Sequence, residues 1–333
     1  MVPSFAFLRA AAISWIAVLC GLPAPAAAAA AGAGARGGGS CPSCVADFAL
    51  YDPAAEDDGV WEDDVTALES LFTAYGFTWQ RVDAPAIARG ALGSGKTRRF
   101  RALIEPGGWA YTRDASLGPA GAARVRAFVS GGGNYVGLCA GAWAAVSTVR
   151  WDHYGTGWFS GYSYNLALFN GSGWGPLGWV PWLDGTNARL DEVAIDVGNP
   201  TMRAAGMPPR ARLLYGGGPW FEPWGRLPGW EVWARAVAPD DAANRAGEGR
   251  PTIVRYGYGK GVVILFAYHP EVLVGSDADH VSLGAPYDEA AIAADRGDMT
   301  LEQIALDSWN VAHAALQLAA GRAVTPVIEL PPE

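Results

Sequence analysis

Cysteine, histidine and charge are all scarce in this 333-residue sequence, and each scarcity narrows the possible functions. Charged residues make up only 17% of the chain, and the net charge is −9. Proteins that bind nucleic acid carry basic patches that neutralise phosphates, whereas the densest basic cluster here is Arg98, Arg99 and Arg101. The sequence therefore predicts no nucleic-acid partner.

The 4 cysteines do not provide the ligands of a structural zinc site. Cys41 and Cys44 form one C-x-x-C pair, but no second pair follows and structural zinc needs four ligands. The pair also lacks the flanking strand and helix that redox motifs use. We expect a local disulfide or a spare pair. If the two cysteines pair, Cys139 remains as a free thiol, and we predict no cofactor and no metal.

No apolar run near the N-terminus is long enough for a comfortable membrane span, which needs about 20 residues. The stretch AAAISWIAVLCGL follows Arg9, and PAPAAAAAAGAGA then offers small-residue cleavage sites. This order is typical of a secretory signal peptide, which we place at residues 1–31, with an uncleaved membrane anchor as the alternative. Residues 32–44 are predicted to be a flexible lead-in. We therefore expect a secreted or periplasmic protein with no stable membrane span after signal removal.

From Val45 onward, short apolar runs alternate with helical patterns. VADFALYD, FTWQRV, RRFRALIEPGG and NYVGLC are predicted strands. The first helix is expected to have Asp63 or Asp64 as its cap and to end at Gly76, and the next to begin at Pro119. Strands that are apolar on both faces and alternate with helices predict an α/β fold, with a mostly parallel sheet covered by helices on both sides.

Residues 155–235 break this pattern because they are dense in Gly, Trp, Pro and Tyr. We expect an irregular or β-rich insertion over the active edge of the sheet, whose tryptophans either fill a core or stack on sugar rings. Regularity returns with the predicted buried strand in GKGVVILFAYHPE and with a C-terminal helix whose His313 is expected to be structural. The main domain is therefore placed at residues 45–322, followed by a tail at 323–333.

The stretch GGGNYVGLCAGAWAAV places Cys139 between a predicted strand and helix, with Gly137 and Gly141 on either side. A free cysteine packs like a small hydrophobic residue, but on a tight strand-to-helix turn it is a candidate nucleophile. His269 ends the VVILFAY strand and is the candidate base, and Glu271 is placed to fix the imidazole tautomer. Because the carboxyl ends of parallel strands open on one edge of a sheet, these side chains are expected to meet there.

Two backbone amides are candidates for an oxyanion hole. The N–H of Ala140 begins the helix after the nucleophile, where the helix dipole favours negative charge. Gly108, in PGGW, ends a neighbouring strand and tolerates the backbone torsions that aim an amide inward. The spacing of Asp277, Asp279 and His280 is too unspecific to predict a metal site.

In order and context, these motifs resemble the class I glutamine amidotransferase-like superfamily. ALIEPGGW, RAFVSGGGNYVGLCAGAWAAV, GGGPWF and GKGVVILFAYHPE are most similar to its biotin-protein ligase N-terminal domain family. The resemblance implies a flavodoxin-like three-layer sandwich. It also implies triad roles for Cys139, His269 and Glu271, and oxyanion amides from Gly108 and Ala140.

The sequence departs from the superfamily at Trp143, which stands where its glutaminases usually carry glutamine. We therefore expect a secreted cysteine hydrolase that acts through a thioester on an amide or related acyl bond of a small-molecule substrate, not a complete biotin-protein ligase. The alternatives are a ligand-binding module with little or no catalysis, such as a glycan-binding one, or a structural domain. Asn170, in NGS, is a glycosylation sequon only in a eukaryotic host.

Overall fold

Five parallel strands form one half of a large nine-stranded sheet. The structure, a computed structural model, describes residues 41–52, 59–152, 157, 159–180, 188–273, 293–327 and 329–330. The strands are β1 (Ala46–Tyr51), β2 (Trp79–Val82), β3 (Phe100–Glu105), β4 (Asn134–Leu138), β5 (Val146–Trp151), β6 (Ser160–Tyr162), β7 (Phe169–Gly175), β8 (Arg189–Ile195), β9 (Arg210–Tyr215), β10 (Trp220–Pro223), β11 (Glu231–Ala236), β12 (Pro251–Tyr258) and β13 (Gly261–Phe266).

The large sheet has the order β2-β1-β3-β4-β13-β12-β11-β8-β9. Every pair from β2 to β13 is parallel, and every pair from β13 to β9 is antiparallel. The parallel half has the 2-1-3-4-5 arrangement of flavodoxin-like sheets, with β13 as the fifth strand. The predicted α/β fold is confirmed, and the four antiparallel strands make the whole sheet mixed.

Helices cover both faces of the parallel half and complete three layers. They are α1 (Glu62–Ala74), α2 (Ala84–Ala88), α3 (Ala110–Ser130), α4 (Ala140–Ala145), α5 (Pro200–Ala204) and α6 (Leu301–Ala319). Side chains of α1 and α6 pack in one apolar core, and those of α2, α3 and α4 pack in another. The sheet lies between these cores because its strands are apolar on both faces.

The start of the first helix differs from its prediction, and that of α3 agrees with it in part. Neither Asp63 nor Asp64 caps α1, because Trp61 is the N-cap residue and makes no side-chain cap bond. The side chain of Asp64 is fully buried instead. Helix α3 consists of two helical segments that meet at Gly118, whose φ of 59° and ψ of 179° are not helical. The second segment begins at Pro119 as predicted, and the first, from Ala110, was not predicted.

The Trp-rich segment contributes three strands to a second sheet with the order β10-β7-β5-β6, whose β5 precedes the segment, and this confirms the expectation of β structure there. Its tryptophans differ in burial: Trp220 and Trp233 are buried, whereas Trp224 is 58% exposed. Trp174 stacks on Trp220, with ring centroids 6.5 Å apart. Among the described tryptophans of the segment, all except Trp224 are buried or packed against a core. Asn170 lies on β7 and is exposed.

The described residues all belong to one compact unit, residues 35–333. The predicted signal peptide at 1–31 and most of the lead-in lie outside the described residues. A disulfide joins Cys41 and Cys44. In the part of the chain that the structure describes, no helix combines the length and apolar character that crossing a membrane requires.

A buried carboxyl group links the antiparallel half of the sheet to the end of β13. Asp191, on β8, is 1% exposed and accepts hydrogen bonds from Trp179 Nε1 at 2.7 Å and from the Tyr268 hydroxyl at 3.1 Å. Burial raises the pKa of Asp191 from 3.8 to about 7, although both hydrogen bonds oppose that rise. The folded state therefore binds this proton more tightly than the unfolded state does.

Replacing Asp191 with asparagine is expected to reduce the pH dependence of stability. With its pKa raised on folding, Asp191 favours the folded state fully below about pH 4, and this contribution is lost as pH rises through about 7. The free energy of unfolding, measured in urea at pH 5 and pH 8, should fall less with pH in D191N than in the native protein. Asp240→Asn, at an exposed position, is the matched control. Equal pH slopes for D191N and the native protein would contradict this assignment.

Candidate active site

Three neighbouring parallel strands end side by side, and the loops that follow them form the site. Strand β4 pairs with β3 on one side and with β13 on the other. After β3 come Gly107 and Gly108, after β4 comes Cys139, and β13 leads into His269 and Glu271. The structure therefore brings together the loops that carry the predicted nucleophile, base and carboxylate and the predicted oxyanion amide of Gly108.

Cys139 occupies a strained turn between β4 and α4. Its φ of 45° and ψ of −99° lie in a region that residues with a side chain rarely adopt. The turn is held by a hydrogen bond from the Cys139 N–H to Phe266 O at 2.9 Å and by one from the Trp143 N–H to Cys139 O at 2.9 Å. A strained residue between a strand and a helix is the geometry of a nucleophile elbow.

Close packing explains the glycines on either side of the cysteine. A Cβ atom on Gly137 would lie 2.7 Å from the carbonyl group of Gly141, and one on Gly141 would lie 2.3 Å from Glu105 O. The Tyr135 hydroxyl, in turn, donates to Gly141 O at 2.7 Å. The two glycines let α4 approach the ends of β3 and β4 closely, which fixes the position of the elbow.

The imidazole of His269 is fully buried and lies between two carboxylates. Its Nδ1 is 3.1 Å from Glu271 Oε1 and also 3.1 Å from Asp64 Oδ2. The backbone N–H of His269 donates to Leu214 O at 2.9 Å, and the Trp61 ring stacks on the imidazole at a centroid distance of 5.4 Å. Contacts on its backbone, its ring face and one ring nitrogen therefore hold the imidazole in place.

The thiol of Cys139 interacts with this imidazole, and it also donates to Gly216 O at 3.4 Å. Burial alone disfavours the imidazolium, but the charge of Asp64 and the interaction with Cys139 outweigh it and raise the pKa of His269 well above its usual range. Among the described residues, His269 Nε2 has no well-formed hydrogen bond. The second ring nitrogen therefore remains available to exchange a proton.

Glu271 contributes a carboxyl group that resists ionisation. Burial, and secondly the charge of Asp64, raise its pKa from 4.5 to about 7, although the bond to His269 opposes that rise. Its backbone carbonyl accepts a hydrogen bond from Trp309 Nε1 of α6 at 3.1 Å, and its Oε2 atom has no partner among the described residues. Near neutral pH the two carboxyl groups beside His269 therefore carry less than two full negative charges.

The two amides predicted for an oxyanion hole, those of Gly108 and Ala140, and the neighbouring Gly107 amide differ in their surroundings. The Gly107 N–H is already bound to Asp64 Oδ2 at 2.8 Å. Gly108 has a φ of 130°, and the bridge around it uses the N–H groups of Trp61 and Trp109 instead of its own. Ala140 is the first residue of α4, and within the described part of the chain no partner is seen for its N–H.

Asp64 is a site residue that sequence reasoning missed, because its position favours a capping role. The pattern nevertheless contains a signal: Asp64, Leu68 and Leu71 share one face of α1 at helical spacing, and all three are buried. An aspartate on the apolar face of a helix requires a buried partner. His269 and the Gly107 N–H are those partners.

Asp64, His269 and Glu271 each offer one possible ligand atom for a metal, and these atoms lie within 4.8 Å of one another. A hydrogen bond from the imidazole to Glu271 and an ion-pair contact with Asp64 account for the same spacing. The other sequence candidates, Asp277, Asp279 and His280, lie outside the described residues. His313 stacks on Tyr75 at 4.1 Å on α6, away from these groups, in keeping with a structural role.

A glycine turn that follows β9 covers the sulfur of Cys139. The carbonyl of Gly216 accepts the thiol, that of Gly217 accepts Trp143 Nε1 at 2.9 Å, and that of Gly218 accepts the Tyr215 hydroxyl at 2.7 Å. Trp143 therefore anchors the cover at the position where glutaminases of the superfamily usually carry glutamine. Cys139 is only 3% exposed beneath it.

The comparisons with known proteins agree with the predicted family. The family model for the N-terminal part of biotin-protein ligase matches residues 86–294, more than half of the chain. No curated protein sequence matches the chain.

Similar solved structures share low identity with the chain. A ThuA-like protein from Parabacteroides merdae is 12% identical, with a TM-score of 0.44 and coverage of 85% of this chain and 92% of that one. The glutaminase domain of Trypanosoma brucei CTPS is 12% identical, with a TM-score of 0.44 and coverage of 83% and 94%. An exo-β-1,4-mannosidase from Opitutaceae bacterium strain TAV5 is 12% identical, with a TM-score of 0.41 and coverage of 82% of this chain. The chain spans 36% of that enzyme.

Replacing Gly141 with alanine is expected to destabilise the protein by about 1–3 kcal/mol, because the new methyl group meets the Glu105 backbone. The free energy of unfolding in urea measures this change. Gly225→Ala is the matched control, since a Cβ there meets nothing within 4 Å. A G141A protein as stable as G225A would show that α4 does not need this close approach.

Proposed function

The chain belongs to the biotin-protein ligase N-terminal family, and we propose that it hydrolyses an amide or related acyl bond with Cys139 as nucleophile. The observation that carries the proposal is the strained backbone of Cys139, at the end of β4 beside a buried imidazole. Strain of this kind persists only where the surrounding structure enforces it, and it clusters at functional sites. The glutamine amidotransferase-like fold fits an amidase, hydrolase or ligand-binding role.

In the proposed first step, His269 Nε2 takes the thiol proton, and Sγ of Cys139 attacks the acyl carbon of the substrate. The C–S bond forms as the carbonyl electron pair moves onto oxygen, and the amides of Gly108 and Ala140 are the proposed donors to that oxygen. The oxyanion then re-forms the carbonyl and expels the amine, which receives the proton held by His269. The product of this step is a thioester.

In the second step, water gives a proton to His269 and its oxygen attacks the thioester carbon. Collapse of the second oxyanion breaks the C–S bond, and the sulfur regains a proton from the imidazole. One amide and one water thus become one acid and one amine. The high pKa of His269 supports this scheme, since an imidazolium beside the sulfur favours the thiolate, which is the reactive form of cysteine.

We expect Cys139 to react with iodoacetamide near pH 7 at least tenfold faster than a free thiol, because a thiolate is the attacking species. Mass spectrometry of the Cys139 peptide gives the rate, and His269→Ala should reduce it by about tenfold or more. His313→Ala removes a buried histidine elsewhere and is the matched control.

A Cys139 that reacts no faster than a free thiol, and at the same rate in H269A, would exclude the hydrolase. The ligand-binding alternative would then be favoured. A shift of tryptophan fluorescence on addition of a glycan would support that alternative, and no shift across a glycan panel would argue against it.

Export is a further part of the proposal, supported by the signal-like pattern before Gly32 and by the disulfide between Cys41 and Cys44. Disulfides persist in oxidising compartments outside the cytosol. The full chain, produced in a bacterium with a C-terminal tag, should appear outside the cytoplasm with a mass that shows cleavage near residue 31. A chain without residues 1–31 is the control and should stay inside. Full-length protein in the membrane fraction would indicate an uncleaved anchor instead.

A further inference from the structure

A second carboxylate contacts the candidate base, and nothing in the motif H-P-E accounts for it. Asp64 Oδ2 lies 3.1 Å from His269 Nδ1, the same distance as Glu271 Oε1. We infer that Asp64 is a positioning residue, which together with Glu271 keeps the proton of His269 on Nδ1 and supplies the negative charge that the imidazolium requires. This inference rests on the proposed function for its role in catalysis, but the contact itself can be tested independently.

The carboxylate of Asp64 is held in place by a second donor. The Gly107 N–H binds the same Oδ2 atom at 2.8 Å, and Asp64 is 0% exposed. The loop after β3 is shaped around this contact, since a Cβ on Gly107 would lie 2.0 Å from Asp64 Oδ2 and 2.5 Å from His269 Cε1. The backbone of the loop after β3 therefore holds the Asp64 carboxylate beside the imidazole, as expected of a residue that orients another.

Two carboxyl groups lie 3.1 Å from one ring nitrogen, and their surroundings differ: Glu271 Oε1 is its hydrogen-bond partner, whereas Asp64 Oδ2 makes an ion-pair contact. Two anions this close cannot both ionise without a large cost in a buried site. Each carboxyl group leaves one oxygen, Asp64 Oδ1 and Glu271 Oε2, without a partner among the described residues. Asp64 accepts the Gly107 N–H and lies in the first turn of α1, where the helix dipole favours negative charge. Burial, in contrast, raises the pKa of Glu271 to about 7.

The groups that face His269 come from several elements. Asp64 and Trp61 come from the start of α1, Cys139 comes from the elbow, and Glu271 follows His269 itself. The turn after β9 adds the carbonyl of Gly216, which accepts the Cys139 thiol. Asp64 is thus the facing carboxyl group that the Gly107 N–H also contacts.

Asparagine at position 64 would remove the negative charge while keeping the shape of the side chain. Its carbonyl oxygen can take the place of Oδ2, which faces both the Gly107 N–H and His269 Nδ1, and its NH₂ group then takes the place of Oδ1. The imidazole keeps a neutral acceptor beside Nδ1 but loses the charge that stabilises the imidazolium. A smaller fraction of Cys139 is then expected to be thiolate near neutral pH.

The test compares Asp64→Asn with Asp63→Asn, which removes the same charge from the exposed neighbouring position. The rate of Cys139 alkylation by iodoacetamide, measured from pH 5.5 to 8.5, should fall about tenfold or more at pH 7 in D64N and less than threefold in D63N. The native rate should change little over this range, whereas the D64N rate should rise with pH like that of an ordinary thiol.

A third variant, Glu271→Leu, leaves Asp64 as the remaining carboxylate partner of the imidazole. Its alkylation rate at pH 7 should fall less than tenfold. Nitrogen-15 NMR of His269 should show a protonated Nδ1 in both the native protein and E271L, and the imidazolium of D64N should lose its proton at lower pH than that of D63N. If D64N does not fold, the spectrum of E271L decides: a protonated Nδ1 supports the inference, and an unprotonated one overturns it.

The inference and the proposed function fail in different ways. If native Cys139 reacts rapidly and D64N matches D63N while E271L loses activation, Asp64 has no positioning role but the hydrolase remains. If native Cys139 reacts like a free thiol, the hydrolase is excluded, and the protonation of Nδ1 in E271L still decides whether Asp64 holds the imidazole.

Discussion

Parallel pairing of β3, β4 and β13 is the constraint from which the rest of the site follows. Parallel strands end on the same edge of a sheet, so residues distant in sequence meet without any special loop. Here that pairing places the two glycines after β3, the strained Cys139 after β4 and His269 after β13 within one small volume. The close approach of Gly141 to Glu105 then sets the direction in which the elbow points.

Much of this arrangement is predictable from the sequence, because it depends on short-range patterns. Apolar runs followed by glycine define the strand ends, and the G-x-C-x-G spacing fits the contacts that Gly137 and Gly141 make with their neighbours. The antiparallel half was harder to anticipate, since β8, β9 and β11 fall within or near the Trp-rich segment whose periodicity is weak. The aromatic and glycine residues there pack in the core without the regular spacing of apolar residues that predicts a strand or a helix.

Asp64 shows why a local pattern can mislead. Aspartate in the first turn of a helix normally caps the helix or interacts with its dipole in water. Asp64 is buried instead, and its Oδ2 contacts His269 and the Gly107 N–H, both far away in sequence. Only the three-dimensional structure reveals partners of this kind. The cover formed by Gly216 is a similar case, since a turn rich in glycine predicts its own conformation but not the thiol beneath it.

The end of β9, at the outer edge of the antiparallel half, also contacts the segment that follows β13. Strand β9 is the last in the sheet order, yet Tyr215 bridges to Tyr268, and the His269 N–H donates to Leu214 O. Part of an edge that would otherwise present unpaired backbone groups is thereby occupied. Open edges invite intermolecular strand addition, the route to swapped and fibrous assemblies. The same backbone contact that seats the imidazole therefore also shields one margin of the fold from pairing with another chain.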